Sequence, residues 1–235
     1  MIIGGLLKTT LIDYQDKVSC IIYLAGCNFR CPWCYSAELV LPVKIAMQPR
    51  ISEKEVLDFL RTRQRLLDGV VLCGGEPTIN KDLPQFIEKI KNLGFAVKLD
   101  TNGSNPAMLK DLVARKLIDY VAMDIKISHE NPVYKNLLME GITMDNIKES
   151  VEFLKSGAVP FEFRTTVVNT VHKKEDFAQI AKWIGGKNVT YYLQNFRAEK
   201  TIDPEFEKVK PFQNEFFAEV VAEISPQFKI CEFRG

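Results

Sequence analysis

Residues Val18–Cys34 read VSCIIYLAGCNFRCPWC, and they decide how the rest of the chain is interpreted. Their first part, Val18–Leu24, is an apolar, β-branched run of the kind that forms a buried strand. Directly after it, through Gly26, come three cysteines within eight residues, spaced C-x3-C-x2-C. Thiolates are soft ligands that select iron–sulfur clusters, zinc or Cu(I). The stretch therefore predicts a buried strand whose carboxyl end carries a metal-binding loop.

Two metal centres and one inert arrangement are compatible with such a loop. A structural zinc site takes four protein ligands, so zinc would need a further ligand such as His129 or His172. A 4Fe–4S cluster held by three thiolates keeps one iron without a protein ligand, free to bind another molecule. The third alternative is a loop of thiols without metal. Cys20 lies within the apolar run and is expected to pack as a small hydrophobic residue, and both histidines are expected at the surface.

Outward from this loop, the chain repeats a short apolar run, a polar loop and an amphipathic helix. The predicted strands are Val18–Leu24, Val70–Cys73, Phe95–Leu99, Tyr120–Ile125, Phe161–Val168 and Val189–Leu193, with a short terminal strand at Phe228–Phe233. The predicted helices follow the capping box Ser52–Glu55 and cover Leu83–Leu93, Ala107–Leu117, Met144–Ser156, Glu175–Ile184 and Phe212–Ile224. This alternation indicates βα units around a parallel sheet. Six units, against eight in a complete (β/α)8 barrel, leave a doubly wound sheet and an incomplete barrel as alternatives.

The composition restricts the class of protein. The 235 residues are 46% hydrophobic and 26% charged, with 31 basic against 30 acidic side chains, which is typical of a globular protein of one domain or two small ones. The net charge of +1 gives no nucleic-acid-binding footprint. The N-terminus does not resemble a signal peptide, and no run approaches the roughly 20 apolar residues of a membrane helix. We therefore expect a cytoplasmic protein that binds neither nucleic acid nor membrane, with its six cysteines outside a disulfide framework.

Polar motifs follow the predicted strands at their carboxyl ends, where parallel α/β folds bind ligands. They are Gly74-Gly75-Glu76-Pro77, Asp100-Thr101-Asn102-Gly103, Asp124-Ile125-Lys126, the pair Arg164 and Thr166, and Gln194-Asn195. Two glycines permit close backbone approach to a ligand, and Glu76 can accept from an ammonium group. Asp124 and Lys126 share one face of a strand and can point into the same cavity.

Each of these motifs also has a purely structural interpretation. The glycine pair can be a tight turn beside a solvated Glu76, and Asn-Gly is a common turn dipeptide. Asp124 and Lys126 can form an ion pair at the end of a strand, which would contribute little. Arg164 can bind a carboxylate with two hydrogen bonds, or it can pair with Glu162 on the same face of its strand.

The cysteine loop resembles the signature of the radical S-adenosylmethionine superfamily, three cysteines spaced C-x3-C-x-(aromatic)-C with Trp33 in the aromatic position. The resemblance implies the fold: a partial (β/α)6 TIM-like barrel, in the α/β class, formed by a single domain. It assigns the whole chain, 1–235, to one core domain. The cluster loop would cover residues 26–36, the barrel units about 18–195, and a C-terminal helix and short tail residues 209–235.

The resemblance also implies the cofactors, a 4Fe–4S cluster and S-adenosylmethionine. In the family, the iron without a protein ligand is chelated by the methionine moiety, and one-electron reduction of the sulfonium gives a 5′-deoxyadenosyl radical. Cys27, Cys31 and Cys34 would ligate the cluster and, through it, carry the catalysis. Contacts with S-adenosylmethionine are implied for Trp33, Tyr35, Gly74, Gly75, Glu76, Thr101, Asn102, Asp124, Lys126, Arg164, Thr166 and Gln194.

Residues Leu6–Val40, LLKTTLIDYQDKVSCIIYLAGCNFRCPWCYSAELV, are similar to the activating proteins of anaerobic ribonucleoside-triphosphate reductase, a family of glycyl-radical-enzyme activases. They depart from that family at Gln15-Asp16, where its members often carry Pro-Gly. The resemblance implies a glycyl radical enzyme as protein substrate and a flavodoxin- or ferredoxin-like electron donor. Alternatives are a pyruvate formate-lyase-type activase, a small-molecule enzyme such as 7-carboxy-7-deazaguanine synthase, and a non-catalytic zinc or electron-transfer protein.

Overall fold

The computed structural model describes all 235 residues, Met1–Gly235, and contains one eight-stranded sheet in the order β1-β2-β3-β4-β5-β6-β7-β8. The strands are β1 (Ile3–Thr10), β2 (Ser19–Leu24), β3 (Gly69–Gly74), β4 (Ala96–Thr101), β5 (Tyr120–Asp124), β6 (Phe161–Val167), β7 (Gly186–Asn195) and β8 (Phe228–Arg234). β1 is antiparallel to β2, and all later pairs are parallel. Since β1 and β8 each pair with a single neighbour, the sheet is an open partial barrel, and the prediction of an incomplete barrel is confirmed.

Helices connect the parallel strands, as the alternating pattern predicts. They are α1 (Ala37–Val40), α2 (Pro42–Met47), α3 (Glu53–Arg63), α4 (Leu83–Asn92), α5 (Pro106–Ala114), α6 (Val133–Leu137), α7 (Met144–Lys155), α8 (Lys174–Ile184) and α9 (Asn214–Ile224). Short 3₁₀ turns lie at Pro77–Ile79, Pro204–Lys208 and Ser225–Gln227. α3 begins at the predicted capping box, in which the Ser52 N–H donates to Glu55 Oε2 (2.7 Å) and the Glu55 N–H donates to Ser52 Oγ (3.2 Å).

The two faces of the sheet differ in chemistry. The outward face packs against the helices in the main hydrophobic core, where Cys20 is fully buried as expected. At the amino ends of the strands, the inner face is filled by a small apolar cluster of Tyr14, Ile21 and Val71. Further along, the alternate positions of β4 and β6 place Lys98 and Glu162 inside the barrel, each less than 5% exposed. The ligand-accessible end therefore lies at the carboxyl ends of the strands.

β1 is a strand that the sequence analysis did not predict. It contains Gly4-Gly5, which lowers strand propensity, and its middle residues are exposed. A Cβ atom on Gly4 would lie 2.4 Å from Leu39 Cδ2, and one on Gly5 would lie 3.2 Å from Tyr23 Cδ2, so a larger residue at either position would have to displace those side chains. β1 thus depends on close contact with neighbours distant in sequence. No helix in the structure combines the length and apolar character needed to span a membrane.

Candidate active site

A cavity of about 250 Å³ opens at the carboxyl ends of the parallel strands. Of the predicted site residues, it is lined by Cys27, Cys31, Trp33, Cys34, Tyr35, Gly74, Gly75, Thr101, Asn102, Asp124, Lys126, Arg164 and Thr166. Phe29, Ser36, Val40, Cys73 and Asp100 complete the lining. The cysteine loop and the motifs after β3, β4, β5 and β6 therefore meet around one space, as the strand-end rule predicts.

Side-chain amides tie the cysteine loop to the turn after β4. The Asn28 amide donates to Ser104 Oγ (2.8 Å), and the Asn102 amide donates to Asn28 Oδ1 (3.0 Å). Asn102 is thereby part of the wall that supports the loop, in addition to lining the cavity.

A second attachment joins the loop to the end of α6. The Arg30 N–H donates to the Leu137 carbonyl (2.8 Å), and the Met139 N–H donates to the Asn28 carbonyl (3.1 Å), so that the two segments pair like short strands. The Arg30 guanidinium group folds back and donates to the carbonyls of Cys27 (2.7 Å) and Phe29 (2.8 Å). These bonds give the first half of the loop a defined shape.

A third attachment comes from the irregular segment 196–213, between β7 and α9. The N–H groups of Ile202 and Asp203 donate to the carbonyls of Cys34 and Pro32, both at 3.0 Å. The Trp33 ring packs against Phe206, with ring centroids 6.0 Å apart. Tyr35 is held in the same way: its ring stacks on Phe196, and its hydroxyl oxygen accepts from the Arg197 N–H (2.7 Å). Sequence reasoning missed this segment because it has no periodic pattern.

The glycine pair after β3 lies against the start of the cysteine loop. The Gly75 N–H donates to the Leu24 carbonyl and the Glu76 N–H to the Gly26 carbonyl, both at 2.8 Å. A Cβ atom on Gly75 would lie 1.9 Å from the Gly26 oxygen. Gly74 has a φ of +119°, which disfavours other residues, and a Cβ there would meet the Leu24 oxygen at 2.4 Å. The glycines therefore permit close approach of backbone to backbone while they also line the cavity.

Glu76 is fully buried beneath this turn and does not line the cavity. Its carboxylate accepts from Thr78 N–H (3.1 Å), Thr78 Oγ1 (2.5 Å), Thr101 Oγ1 (2.7 Å) and Asn102 N–H (2.6 Å). Burial raises the pKa of the carboxyl, and these hydrogen bonds oppose the rise. In this structure Glu76 joins the ends of β3 and β4; three of the donors bond to Oε1, and Oε2 accepts only from the Asn102 N–H.

Charged side chains alternate in sign across the floor of the cavity. Lys126 Nζ lies 2.8 Å from Asp124 Oδ2, and Arg164 bonds to both Asp124 (3.3 Å) and Asp100 (2.9 Å). The Glu162 carboxylate is only a distant partner of Arg164, at 4.0 Å. Burial opposes the charged forms, yet the two cations lower the pKa of Asp124 below its ordinary value, and Asp124 with Cys31 raises the pKa of Lys126. The floor thus offers a cation and carboxylates to a polar ligand.

The three cysteines fit a 4Fe–4S cluster in their chemistry and placement. All three line the cavity, Cys31 is buried, and the Phe29 N–H donates to Cys27 Sγ (3.4 Å). Burial raises the pKa of Cys31 to about 12 and of Cys27 to about 11, while Lys126 opposes the rise. A metal would displace these protons. The structure has no group of three His, Cys, Asp or Glu side chains close enough together to bind a single metal ion. A cluster does not need such a group, because each cysteine ligates a different iron atom.

The two histidines do not approach the cysteine loop as ligands. The expectation that His172 lies at the surface is wrong: it is 1% exposed, and its ring stacks on Phe177. Its Nδ1 accepts from Val168 N–H (3.0 Å), so Nε2 carries the proton and donates to the Lys126 carbonyl (2.9 Å). Burial lowers the pKa of His172. His129 is half-buried against Trp183, with ring centroids 4.7 Å apart.

Two further placements differ from the sequence-based interpretation. Gln194, on β7, pairs with Thr166 and Arg234 in the strand register and lies outside the cavity lining. Asp100 and Cys73 line the cavity although neither was expected to contact a ligand: Asp100 was named only as part of the motif after β4, and Cys73 only as the end of a predicted strand. The alternation of side chains along a strand indicates both positions. Asp100 lies two residues after Lys98 and Cys73 two residues after Val71, so each points inward at the carboxyl end of its strand.

The chain matches the Radical SAM superfamily over residues 21–184. A Methanocaldococcus jannaschii protein with the provisional name glycyl-radical enzyme activating enzyme is 35% identical over 220 residues, which cover 91% of this chain and 88% of that protein. A 7-carboxy-7-deazaguanine synthase of Thermococcus kodakarensis is 26% identical over 184 residues, 70% of this chain and 69% of the synthase.

Among solved structures, Streptococcus suis SuiB bound to S-adenosylmethionine has a TM-score of 0.63 at 14% identity. The match covers 92% of this chain and 48% of SuiB, so the chain spans about half of that protein, and the likeness shows the fold. The family implies a 4Fe–4S cluster and S-adenosylmethionine as cofactors, for which the cavity has suitable residues. The family match extends over most of the barrel, and the cysteine loop and the cavity at the strand ends agree with it. The chain therefore belongs to the radical S-adenosylmethionine superfamily and is a radical SAM enzyme.

Proposed function

We propose that this chain is a glycyl-radical-enzyme activating enzyme and that its partner is an anaerobic ribonucleoside-triphosphate reductase. The observation that carries the first part is the match to the M. jannaschii relative, which extends over about nine-tenths of both chains. The second part rests on the similarity of Leu6–Val40 to the reductase activases. A flavodoxin- or ferredoxin-like protein would deliver the electron.

In this proposal, Cys27, Cys31 and Cys34 would ligate the cluster. When bound, the cluster would supply the one electron needed to cleave S-adenosylmethionine to methionine and a 5′-deoxyadenosyl radical, and this radical would take a hydrogen atom from a glycine of the partner. Lys126 provides a cation for the methionine carboxylate, and Asp124 provides oxygens for the ribose hydroxyls. Arg164 holds Asp124 and Asp100 in place, because its guanidinium group bonds to both.

The architecture supports a polypeptide substrate. The sheet is open between β1 and β8, and we expect a segment of the partner to reach the carboxyl ends of the strands through this opening. Arg164 and Asp100 form the floor of the cavity, and the buried Lys98 side chain lies 3.6 Å from Asp100. We expect a glycine in an extended segment to approach the mouth of the cavity and to leave these groups in place. The protein's task is to hold that glycine against the cleaved carbon atom and to exclude other hydrogen donors.

A second candidate is a small-molecule enzyme of the 7-carboxy-7-deazaguanine synthase type. The observation that favours it is the T. kodakarensis match, which covers 70% of this chain. Such an enzyme would bind its substrate inside the barrel and turn over repeatedly without a protein partner.

The cluster assignment is tested by purifying the protein without oxygen and measuring iron, labile sulfide and reductive formation of 5′-deoxyadenosine. Replacement of Cys27, Cys31 or Cys34 by Ala should abolish both the cluster and product formation. Cys20→Ala and Cys231→Ala are matched controls, since both thiols are buried outside the cavity lining and should leave the iron content unchanged. Zinc without labile sulfide, or full activity after loss of a loop cysteine, would contradict the assignment.

The partner assignment is tested by electron paramagnetic resonance. The protein is incubated under reducing conditions with S-adenosylmethionine and with either the anaerobic reductase or a pyruvate formate-lyase from the same genome. A protein-centred doublet should appear with the reductase and vanish when its radical glycine is replaced by Ala. A doublet with the lyase alone would contradict the reductase assignment and identify the lyase as the partner. No doublet with either protein, together with production of 7-carboxy-7-deazaguanine, would favour the second candidate.

A further inference from the structure

His172 joins the segments that follow two neighbouring strands through its buried imidazole ring. It lies between β6 and α8, is 1% exposed, and stacks on Phe177 with ring centroids 5.7 Å apart. Its Nδ1 accepts from the Val168 N–H (3.0 Å), directly after β6, and its Nε2 donates to the Lys126 carbonyl (2.9 Å), two residues after β5. Because a backbone N–H can only donate, the first bond sets the tautomer that makes the second possible.

The turn that carries His172 holds the ring in place independently of β5. The Val168 carbonyl accepts from the N–H groups of Val171 (3.0 Å) and His172 (2.8 Å), while the Val168 N–H bonds to the ring. On its face, the ring is supported by Phe177 of α8. The position of Nε2 is therefore set by β6 and α8, and it can serve as a fixed support for the chain after β5.

Such a support matters at Lys126 because β5 and β6 separate there. The Ile125 N–H still donates to the Arg164 carbonyl (2.8 Å), but Lys126 forms no hydrogen bond with another backbone group. Side chains bond to this segment instead: the Thr165 hydroxyl donates to the Ile125 carbonyl (2.7 Å), and His172 donates to the Lys126 carbonyl. The backbone position of Lys126 thus depends on the His172 ring.

We propose that His172 is a positioning residue for S-adenosylmethionine: by holding the Lys126 carbonyl, it keeps the ammonium group of Lys126 at the cavity floor, where the methionine carboxylate binds. Lys126 Nζ lies 2.8 Å from Asp124 Oδ2, and both residues line the cavity. A rotation of the backbone at Lys126 would turn its side chain away from that of Asp124 and out of the cavity. The inference rests on the contact with the methionine carboxylate proposed above for Lys126.

Two substitutions separate the two hydrogen bonds of the ring. In His172→Gln, the amide nitrogen can reach the position of Nε2 and donate to the Lys126 carbonyl, but no atom accepts from Val168. In His172→Asn, the amide oxygen can take the position of Nδ1 and accept from the Val168 N–H, but no donor reaches Lys126. Both variants lose the ring that stacks on Phe177, so they are matched in the packing that they lose.

The affinity for S-adenosylmethionine is measured by equilibrium dialysis of the reconstituted protein with its cluster oxidised, so that no cleavage occurs. We expect the Kd of His172→Gln to stay within about threefold of wild type and that of His172→Asn to rise about tenfold, as for the loss of one hydrogen bond. The melting temperatures of the two metal-free variants should fall by similar amounts. Equal weakening of binding in both variants would overturn the proposal, since His172 would then act through packing alone.

A double variant tests whether His172 acts through Lys126. Lys126→Met removes the ammonium group and should weaken binding of S-adenosylmethionine. Addition of His172→Asn to Lys126→Met should then weaken binding little further, because the group that His172 positions is already absent. An undiminished effect of His172→Asn in the Lys126→Met protein would overturn the proposal.

The outcomes separate this inference from the proposed function. Normal affinity in Lys126→Met would overturn the contact of Lys126 with the carboxylate and this inference with it, and would leave the cluster and the partner enzyme unaffected. Weak binding in Lys126→Met with normal affinity in His172→Asn would overturn the role of His172 alone. If a His172 variant does not fold, nitrogen-15 NMR of the metal-free wild-type protein with labelled histidine should show the tautomer of His172 protonated at Nε2. Protonation at Nδ1 would contradict the hydrogen bonds on which the inference depends.

Discussion

Gly75 lies where the turn after β3 meets the beginning of the cysteine loop. Its amide and that of Glu76 bond to the loop backbone, and the space that a side chain would need is occupied by the Gly26 carbonyl. A single residue thus sets the distance between the ligand-binding turn and the metal-binding loop.

We expect Gly75→Ala to displace the cysteine loop. The new methyl group would overlap the Gly26 oxygen, and overpacking of this kind destabilises proteins by about 1–3 kcal/mol. Iron and sulfide bound after reconstitution should fall sharply. Gly94→Ala is the control: its φ of +91° also disfavours alanine, but no atom lies within 4 Å of the added carbon. Normal cluster content in Gly75→Ala would show that the turn and loop can separate without loss of function.

At the scale of single residues, the sequence identifies those site residues that can be recognised from their immediate neighbours in the chain. The cysteine spacing and the polar residues after each strand are visible without a fold, and most of them do line one cavity. The partners of Glu76 were not predictable, because Thr101 and Asn102 are 25 and 26 residues away along the chain.

At the scale of elements, the segment 196–213 behaves as a clamp on the cysteine loop. It lacks regular structure apart from the turn Pro204–Lys208, yet two of its amides and the Phe206 ring hold the second half of the loop. The sequence analysis assigned no element to residues 196–208, between the barrel units and the C-terminal helix. β1 was missed in the same way, since both elements are defined by what they pack against rather than by hydrophobic periodicity.

Phe206→Ala should loosen this clamp. Loss of the half-buried ring should destabilise the protein by about 1–2 kcal/mol and expose Trp33. We expect faster loss of iron to a chelator after reconstitution. Glu205→Ala, in the same turn but with a side chain 72% exposed, should stay within about 0.5 kcal/mol of wild type and lose iron at the wild-type rate. Equal iron loss in both variants would argue against a clamp.

For the whole molecule, the important feature is the charge buried inside the barrel. Lys98 is 4% exposed, donates to the Asp13 carbonyl (2.6 Å) and lies 3.6 Å from both Asp100 and Glu162. It connects the loop after β1 with β4 and β6. The cysteine motif and its family resemblance predicted the barrel, but they gave no indication that its centre would hold a lysine.

Lys98→Met should be among the most damaging single changes outside the cavity. Without the cation, Asp100 keeps its bond to Arg164 (2.9 Å), but the buried Glu162 carboxylate retains only the Tyr120 hydroxyl (3.0 Å) and the distant Arg164 (4.0 Å). Breaking a buried ion pair by removing one partner costs about 3–5 kcal/mol. Urea unfolding of the metal-free protein measures the loss. In the double variant Lys98→Met with Glu162→Gln, one of the carboxylates is gone, so part of the stability should return. A double variant no more stable than Lys98→Met would show that the lysine acts through the Asp13 carbonyl instead.

The bonds that shape the cysteine loop run through Asn28, Arg30 and the carbonyls of Pro32 and Cys34, and they join it to three separate parts of the barrel. None of these bonds depends on a bound metal. Loss of an iron–sulfur cluster to oxygen would therefore leave the cysteine loop in place. We therefore expect the loss of the cluster to be reversible. Recovery then depends on the supply of iron and sulfide and does not require the synthesis of a new polypeptide.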